Sequence, residues 1–241
     1  MTEPARAWLR ISDALLSGIG IDDPYDMEEN KELFEWADGE TGPVKPMHKL
    51  FELGRLLIDV VQSNGTGVQL DNFPNDEFLT ILVGGLTLTT NETKAEQCFY
   101  AGDSVLIPKG WSGLWRTHPG MFREVAIVPV NFFDPAELKK PQAKGVRPRK
   151  VEMASPQGTT TIHDGTYRIE SRKPEAKAAD DLALAADEVV YIRRGNLTLA
   201  DELGAETFKP GDFILLRKGA AAKVSHSAGY EALAAVAKHY G

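Results

Sequence analysis

The residues best suited to chemistry in this chain lie between positions 71 and 123. Glu77 opens a run rich in Leu, Ile, Val and Thr. Burial disfavours the charged form of a carboxyl and raises its pKa, so such a group can act as a general acid or base near neutral pH. Glu77 is therefore the candidate catalytic residue. The alternative is that Glu77 points at a turn and accepts hydrogen bonds from backbone amides there.

Four other side chains in this stretch are candidates for binding a ligand: Asp71, Trp111, Trp115 and Arg123. An indole stacks on planar or cationic groups and donates one N–H. A guanidinium binds a carboxylate through two hydrogen bonds. Two alternatives remain open, since Trp115 can simply fill a small barrel and Arg123 can form a structural salt bridge.

The pattern around these residues predicts short strands joined by tight turns. Residues 78–88 are of types that suit a pleated, half-buried surface. Residues 86–90 and 97–100 flank a polar turn, as the two strands of a hairpin do. A Gly-Asp turn at 102–103 precedes a short apolar strand at 104–107. Short strands at this spacing are typical of a sandwich or barrel.

The same pattern returns 109 to 111 residues later in the chain. Glu188 and Gly195 repeat the Glu-x6-Gly spacing of Glu77 and Gly84. The features that follow, a Gly-Asp turn, an apolar run and a Lys-Gly pair, recur in the same order. A repeat of this length indicates a duplicated domain rather than a short solenoid unit. The sequence therefore predicts two related β-barrels.

The spacing Glu77-x6-Gly84 followed by Gly102-x5-Pro108-x-Gly110 resembles the two sequence motifs of the cupin superfamily. The Pro-Lys-Gly-Trp-Ser-Gly-Leu-Trp ending resembles the subgroup that contains (S)-ureidoglycine aminohydrolase and the ethanolamine-utilisation protein EutQ. The resemblance implies an all-β, RmlC-like fold of two tandem cupin barrels, each a double-stranded β-helix or jelly roll, with an N-terminal arm. It also implies that Glu77 faces the barrel interior.

Metal-binding cupins carry a His-x-His pair and a third histidine, which this chain lacks. The resemblance puts those positions on Leu70 and Asn72 or on Asp71 and Phe73, and on Gly113. Only Glu77 and Asp71 keep the chemistry of a metal ligand. We therefore expect no metal and no cofactor, with a divalent ion held weakly by these two carboxylates as the alternative. The matching positions of the second barrel are small or apolar, which favours a structural role for it.

These features predict four segments along the chain. An acidic arm at residues 1–45 precedes an N-terminal cupin barrel at 46–136. A basic, proline-rich linker at 137–158 then leads to a degenerate C-terminal barrel at 159–241. Since cupins commonly pair through sheet edges, the resemblance also implies a homodimer.

Composition excludes several classes of function. The 241 residues include 35 acidic and 27 basic side chains, and the net charge of -8 argues against a nucleic-acid partner. Cys98 is the one cysteine and cannot form an internal disulfide. Charged residues interrupt any signal-like apolar run near the N-terminus, and no apolar run is long enough to cross a membrane. We therefore expect a cytoplasmic protein without a membrane partner.

On function, we expect a metal-independent bicupin that binds a small polar or carboxylate-bearing metabolite in its N-terminal barrel. The ligand would contact Glu77, Trp115 and Arg123. One alternative is a hydrolase, isomerase or lyase that uses Glu77 as general acid or base, with or without a weakly bound divalent metal. Another is a regulatory or structural protein without catalysis.

Overall fold

The computed structural model describes residues 6–25, 34–37, 46–132, 136, 145–219 and 221–238. The described residues form 22 strands and one short helix, α1 (Asp13–Leu16). None of the described helical segments is long and apolar enough to cross a membrane. The chain divides into two compact units. We call residues 14–52 and 56–151 the N-terminal barrel, and residues 1–13, 53–55 and 152–241 the C-terminal barrel.

In chain order the first strand, β1 (Trp8–Arg10), belongs to the C-terminal barrel. The N-terminal barrel holds the next twelve strands: β2 (Asp23–Pro24), β3 (Phe34–Trp36), β4 (Met47–Leu53), β5 (Leu56–Asn64), β6 (Gly67–Leu70), β7 (Glu77–Val83), β8 (Gly85–Thr90), β9 (Glu96–Tyr100), β10 (Ser104–Ile107), β11 (Gly113–Thr117), β12 (Met121–Pro129) and β13 (Arg149–Lys150).

Two sheets build the N-terminal barrel. One has the order β13-β10-β7-β12-β5-β4-β2 and the other the order β3-β6-β11-β8-β9. Apolar side chains from both sheets, such as Leu79, Leu86 and Val105, form its core. The predicted hairpin is confirmed, since β8 pairs with β9 and places Leu88 opposite Gln97. The strand predicted at residues 104–107 is β10.

The remaining nine strands belong to the C-terminal barrel: β14 (Gly158–Asp164), β15 (Arg168–Lys173), β16 (Lys177–Ala183), β17 (Glu188–Arg194), β18 (Leu197–Asp201), β19 (Gly204–Phe208), β20 (Phe213–Leu216), β21 (Ala221–His226) and β22 (Glu231–Val236). With β1 they form two sheets, β1-β20-β17-β22-β15-β14 and β16-β21-β18-β19. The second unit thus repeats the architecture of the first, and the prediction of a tandem all-β fold is confirmed.

The segments expected to be an arm and a linker contribute strands to both units. In the arm, β1 pairs with β20 of the C-terminal barrel, whereas β3 pairs with β6 of the N-terminal barrel. In the linker, β13 pairs with β10 of the N-terminal barrel. Residues 137–144, which begin the predicted linker, lie outside the described part of the chain. The strands β1, β2, β3 and β13 of these segments therefore lie at the edges of their sheets.

Candidate functional site

A cavity of about 120 Å³ lies inside the N-terminal barrel, and we call it the N-terminal cavity. Much of its wall is apolar and includes Val68 and Trp115. Three acidic side chains also line it: Asp59, Glu77 and Glu124. All three are buried. We call these three residues the acidic cluster.

Three neighbouring strands of the larger sheet bring the acidic cluster together. Asp59 lies on β5 and pairs with Ala126 of β12, two residues beyond Glu124. Leu79 of β7 also pairs with Ala126, and Glu77 lies two residues before it. Alternate residues of a strand face the same side of the sheet. The register therefore turns all three carboxyls into the barrel.

Burial sets the electrostatics of the acidic cluster. It raises the pKa of Glu77 to about 8, and the charge of Asp59 adds to the effect. Burial also raises the pKa of Glu124 well above its ordinary value, with added repulsion from Glu77 and Asp59. Among the described residues, Asp59 Oδ1 and Glu124 Oε2 are buried without a hydrogen-bond partner. Buried polar atoms normally have one, so the acidic cluster contains two oxygens that the described residues leave unsatisfied.

His48 and Tyr25 border the acidic cluster. His48 Nδ1 lies 3.0 Å from Asp59 Oδ2. This hydrogen bond raises the pKa of His48 despite the opposing effect of burial. The Tyr25 ring packs edge-on against His48, with a centroid distance of 5.1 Å, and lines the cavity. Burial raises the pKa of Tyr25, and the neighbouring carboxylates raise it further, so the phenol stays neutral.

Trp115 provides the aromatic part of the cavity wall. It lies half-buried in β11, where it pairs with Val68 of β6 and Leu88 of β8. An indole in such a wall can stack on a planar group or lie against a cation. Glu77 and Trp115 are thus two sequence-predicted residues that the structure brings to the same cavity.

Trp111, in contrast, belongs to the core of the barrel. Its side chain is 0% exposed, and its ring packs edge-on against Phe73 with a centroid distance of 6.3 Å. Its indole Nε1 donates a hydrogen bond to Thr90 Oγ1 at 3.2 Å. Trp111 does not line the N-terminal cavity. Its contacts are those of a residue that holds the core together.

Arg123 lies on the other face of β12 from its neighbour Glu124, as strand alternation requires. Its Nη2 and Nε donate to Gln62 Oε1 at 2.7 and 3.1 Å, and its Nη1 donates to the carbonyl of Leu16 at 3.2 Å. Arg123 does not line the N-terminal cavity. The expected carboxylate-binding guanidinium is therefore outside this cavity.

Comparison with known proteins identifies the fold. The family model for a EutQ-like cupin domain matches residues 60–125. A cupin 2 conserved barrel domain protein from Leptotrichia buccalis is similar in structure, with a TM-score of 0.57 and 11% identity over 82% of this chain and 91% of that one. This chain has the cupin fold. The fold occurs twice in the chain, and below the word bicupin describes this fold of two tandem barrels.

Two further solved structures resemble the bicupin. One is a protein of unknown function of the DUF861 family from Pseudomonas syringae pv. tomato, with a TM-score of 0.59 and 15% identity over 96% of this chain and 100% of that one. The other is a variant of salicylate 1,2-dioxygenase from Pseudoaminobacter salicylatoxidans, with a TM-score of 0.61 and 10% identity over 98% of this chain and 86% of that one. No curated protein sequence gives a significant match. Identities this low establish the fold alone.

The residues of the bicupin do not fit a metal centre at the positions that the cupin resemblance implies. Leu70 and Phe73 are buried in the core, and Gly113 has no side chain. Asp71 is exposed, accepts a hydrogen bond from Ser112 Oγ at 2.9 Å and does not line the cavity with Glu77. Within the described part of the chain, no three His, Cys, Asp or Glu side chains are grouped to hold a metal ion. No metal-dependent step is therefore assigned to the site.

Sequence reasoning missed Asp59, Glu124, His48 and Tyr25. Glu77 was singled out because it opens an apolar run, whereas Asp59 and Glu124 each lie inside a stretch rich in apolar residues. A search for single carboxylates inside such stretches would have found both. His48 and Tyr25 carry no such signal in the sequence. His48 lies on β4 and Tyr25 directly follows β2, and the pairing of these two strands brings both side chains to the acidic cluster.

Proposed function

We propose that the N-terminal barrel of the bicupin binds a small organic molecule in the N-terminal cavity. The ligand contacts the acidic cluster through its polar group and Trp115 through its planar or apolar part. The observation that carries this proposal is a set of three buried carboxyls around one cavity, two of which have oxygens without a hydrogen-bond partner among the described residues.

The free-energy cost of burying carboxylates supports a bound ligand in this cavity. An ionised carboxylate without a partner is costly to bury, so it either takes up a proton or acquires a compensating group. The raised pKa of Glu77 reflects that cost. A cavity of about 120 Å³ is much larger than the ~10–15 Å³ that one water needs. A ligand that donates hydrogen bonds can satisfy the oxygens that the protein leaves open.

The charge of the cavity wall also restricts the ligand. The described residues that line it include no Lys or Arg, and Arg123 bonds to Gln62 and Leu16 elsewhere. A carboxylate-bearing ligand would find no guanidinium or ammonium partner in this wall and would add a negative charge beside three carboxyls, which disfavours the carboxylate part of the sequence-based expectation. A polar ligand that is neutral or positively charged fits the wall.

A second candidate function is acid–base catalysis in the same cavity. Burial and the charge of Asp59 raise the pKa of Glu77 to about 8, so the carboxyl still carries a proton near neutral pH. A carboxylic acid with a pKa near the working pH is an effective proton donor. This observation favours a hydrolysis, isomerisation or elimination step in which Glu77 gives a proton to the bound molecule.

Thermal shift with a panel of small probes tests the binding proposal in the full chain. The panel contains acetamide, methylurea, methylammonium, methylguanidinium and acetate. We expect at least one probe other than acetate to raise the Tm of the wild type, because a ligand bound only by the folded state stabilises it. Glu77→Gln and Trp115→Ala should remove the shift.

Asp71→Asn is the matched control for Glu77→Gln. It is also an acid-to-amide change, but Asp71 lies outside the cavity, so the shift should persist. A panel without effect on the wild type, or shifts that survive in Glu77→Gln and Trp115→Ala, would contradict the proposal. Once a substrate is known, loss of turnover with retained binding in Glu77→Gln would favour the catalytic candidate.

A further inference from the structure

The C-terminal barrel also holds two carboxylates in its interior, but there an arginine joins them. Arg172 lines a cavity of about 260 Å³ in that barrel. Its Nη1 donates to Glu188 Oε2 at 2.6 Å, and its Nη2 donates to Glu170 Oε2 at 2.7 Å. One guanidinium thus bridges two carboxylates with hydrogen bonds assisted by charge.

Strand register shows that these carboxylates correspond to two members of the acidic cluster. The sequence repeat matches Glu188 with Glu77, each of which is the first residue of its strand. In the C-terminal barrel, Ala234 pairs with both Val190 and Glu170. In the N-terminal barrel, the equivalent Ala126 pairs with Leu79 and Asp59. Glu170 therefore occupies the position of Asp59.

The same register identifies what stands in place of the arginine. Arg172 pairs with Ala232 in the C-terminal barrel, and Val61 pairs with Glu124 in the N-terminal barrel. The arginine position is therefore Val61, which lines the N-terminal cavity. The N-terminal barrel lacks the internal cation at this position and gains a third carboxyl, Glu124, where the other barrel has an alanine.

The pKa values of the acidic side chains differ between the two barrels as the presence or absence of Arg172 predicts. Burial alone would raise the pKa of Glu170, yet the charge and hydrogen bonds of Arg172 lower it below the ordinary value. Burial by itself would lower the pKa of Arg172, but the hydrogen bonds to Glu188 and Glu170 and their charges raise it above the ordinary value. In the N-terminal barrel, the pKa values of Glu77 and Glu124 are raised instead. Arg168 Nε also donates to Glu170 Oε1, at 2.6 Å. The two related sites thus differ in their balance of charge, because the C-terminal one holds guanidinium groups and the N-terminal one holds a third carboxyl, Glu124.

We propose that the N-terminal cavity binds an organic cation, a guanidinium or ammonium group, between Asp59 and Glu77, where the other barrel holds its arginine side chain. This inference rests on the proposed function and names its ligand class. Glu124 supplies a third carboxyl to the cation, and Trp115 offers an aromatic face against it. The unsatisfied oxygens of Asp59 and Glu124 are the acceptors that the cation's N–H groups fill.

Calorimetric titration of the full chain compares methylguanidinium with methylurea, its neutral counterpart of similar shape. Above the pKa of Glu77, methylguanidinium should bind the wild type about tenfold or more tightly than methylurea, as expected for hydrogen bonds between charged groups. Glu77→Gln should weaken the binding of methylguanidinium, and Asp71→Asn should leave it unchanged.

Val61→Arg tests the correspondence between the two barrels. Its guanidinium should occupy the cavity, raise the Tm above that of Val61→Met, and abolish the binding of added methylguanidinium. Val61→Met is the control because it fills the cavity without adding a charge. Val61→Arg protein that still binds methylguanidinium as the wild type does would overturn the inference.

The reverse exchange keeps the inference testable if Val61→Arg does not fold. Arg172→Val should lower the Tm, and methylguanidinium, but not methylurea, should restore part of the loss. If both compounds raised the Tm of Arg172→Val equally, or neither did, the result would contradict a guanidinium site between these carboxylates. If neutral probes bind the wild type and the two organic cations do not, the binding barrel stands and the inference about its ligand fails. Binding of Mn²⁺ in place of methylguanidinium would also overturn it.

Discussion

At the scale of single residues, the burial of Glu77 in the N-terminal barrel makes the stability of the fold depend on pH. A glutamic acid in the unfolded chain has its ordinary pKa of 4.5, whereas burial and the charge of Asp59 raise the pKa of Glu77 to about 8 in the folded protein. Between these values the folded state holds a proton that the unfolded state has lost, so the free energy of unfolding falls as the pH rises. Below 4.5 both states are protonated, and above 8 both are ionised, so the contribution is constant there.

Glu77→Gln should remove this part of the pH dependence. We expect the unfolding free energy of the wild type to fall, by an amount on the order of a few kcal/mol, between about pH 4.5 and 8. The variant should show a smaller fall and be the more stable protein at the upper end of this range. Urea denaturation across the range measures both slopes. Parallel profiles for the two proteins would show that Glu77 has no raised pKa.

His48 contributes a separate titration next to the same cluster. Its hydrogen bond to Asp59 raises its pKa above the ordinary 6.5. The bond therefore stabilises the fold fully below pH 6.5, and this contribution is lost as the pH rises through the raised value. In ¹H–¹⁵N NMR titrations, the His48 ring should titrate above 6.5 in the wild type and move downward in Asp59→Asn. An unchanged midpoint in Asp59→Asn would contradict the assignment of the hydrogen bond as the cause.

The motif resemblance implied that Glu77 faces the barrel interior, and in the structure both Glu77 and Trp115 line the cavity. That either of them binds a ligand stays a prediction. Strand alternation puts Arg123 on the opposite face of β12 from Glu124, and therefore outside the cavity that Glu124 lines. The sequence could not show which distant carboxyls meet at one cavity. Asp59 and Glu124 are separated by 65 positions in the chain, and only the pairing of β5 with β12 brings them to one cavity.

At the scale of elements, Gly84 ends the Glu-x6-Gly motif for two physical reasons. Its φ of +82° is a left-handed conformation, and a Cβ at this position would lie 2.5 Å from the carbonyl oxygen of Met121 on the next strand. Gly195 of the C-terminal barrel combines a positive φ with the same close approach, to Tyr230. The final glycine of the motif thus marks a place where the neighbouring backbone leaves no room for a Cβ.

Gly84→Ala should therefore destabilise the protein more than Gly102→Ala does. Gly102 also has a positive φ, of +92°, but no atom lies within 4 Å of a Cβ there. We expect a loss of about 1–2 kcal/mol for Gly102→Ala from backbone strain alone. The loss for Gly84→Ala should be larger, because the Met121 backbone must also move. Equal losses in urea denaturation would contradict the role of close approach.

Local patterns predicted the hairpin of β8 and β9 and the strand β10, because turn residues and apolar runs lie side by side in the sequence. They did not predict β1 or β13. These are short edge strands, and their pairing depends on partners far along the chain: Trp8 of β1 pairs with Leu216, and Lys150 of β13 pairs with Val105. Edge pairing of this kind leaves little periodicity in the strand itself.

At the scale of the whole molecule, the two barrels share a backbone architecture but differ in their interior side chains. Both barrels retain the opening glutamate of the motif, as Glu77 and Glu188, and a second carboxylate at the matching strand position. In one barrel Arg172 bonds to both carboxylates. In the other both line a cavity, and His48 bonds to one oxygen of Asp59. The sequence revealed the duplication, but the difference in charge emerged only when strand register matched Val61 with Arg172.

Carboxyl NMR of the full chain, labelled with ¹³C at glutamate Cδ, tests the central claim most directly. The Glu77 signal is assigned by its absence in Glu77→Gln. In the free protein this signal should titrate near pH 8. Saturating methylguanidinium should lower the midpoint, because a bound cation favours the ionised carboxyl, and methylurea should not. A Glu77 signal that titrates near 4.5, or one that methylguanidinium leaves unmoved, would contradict a cation-binding acidic cavity in the N-terminal barrel.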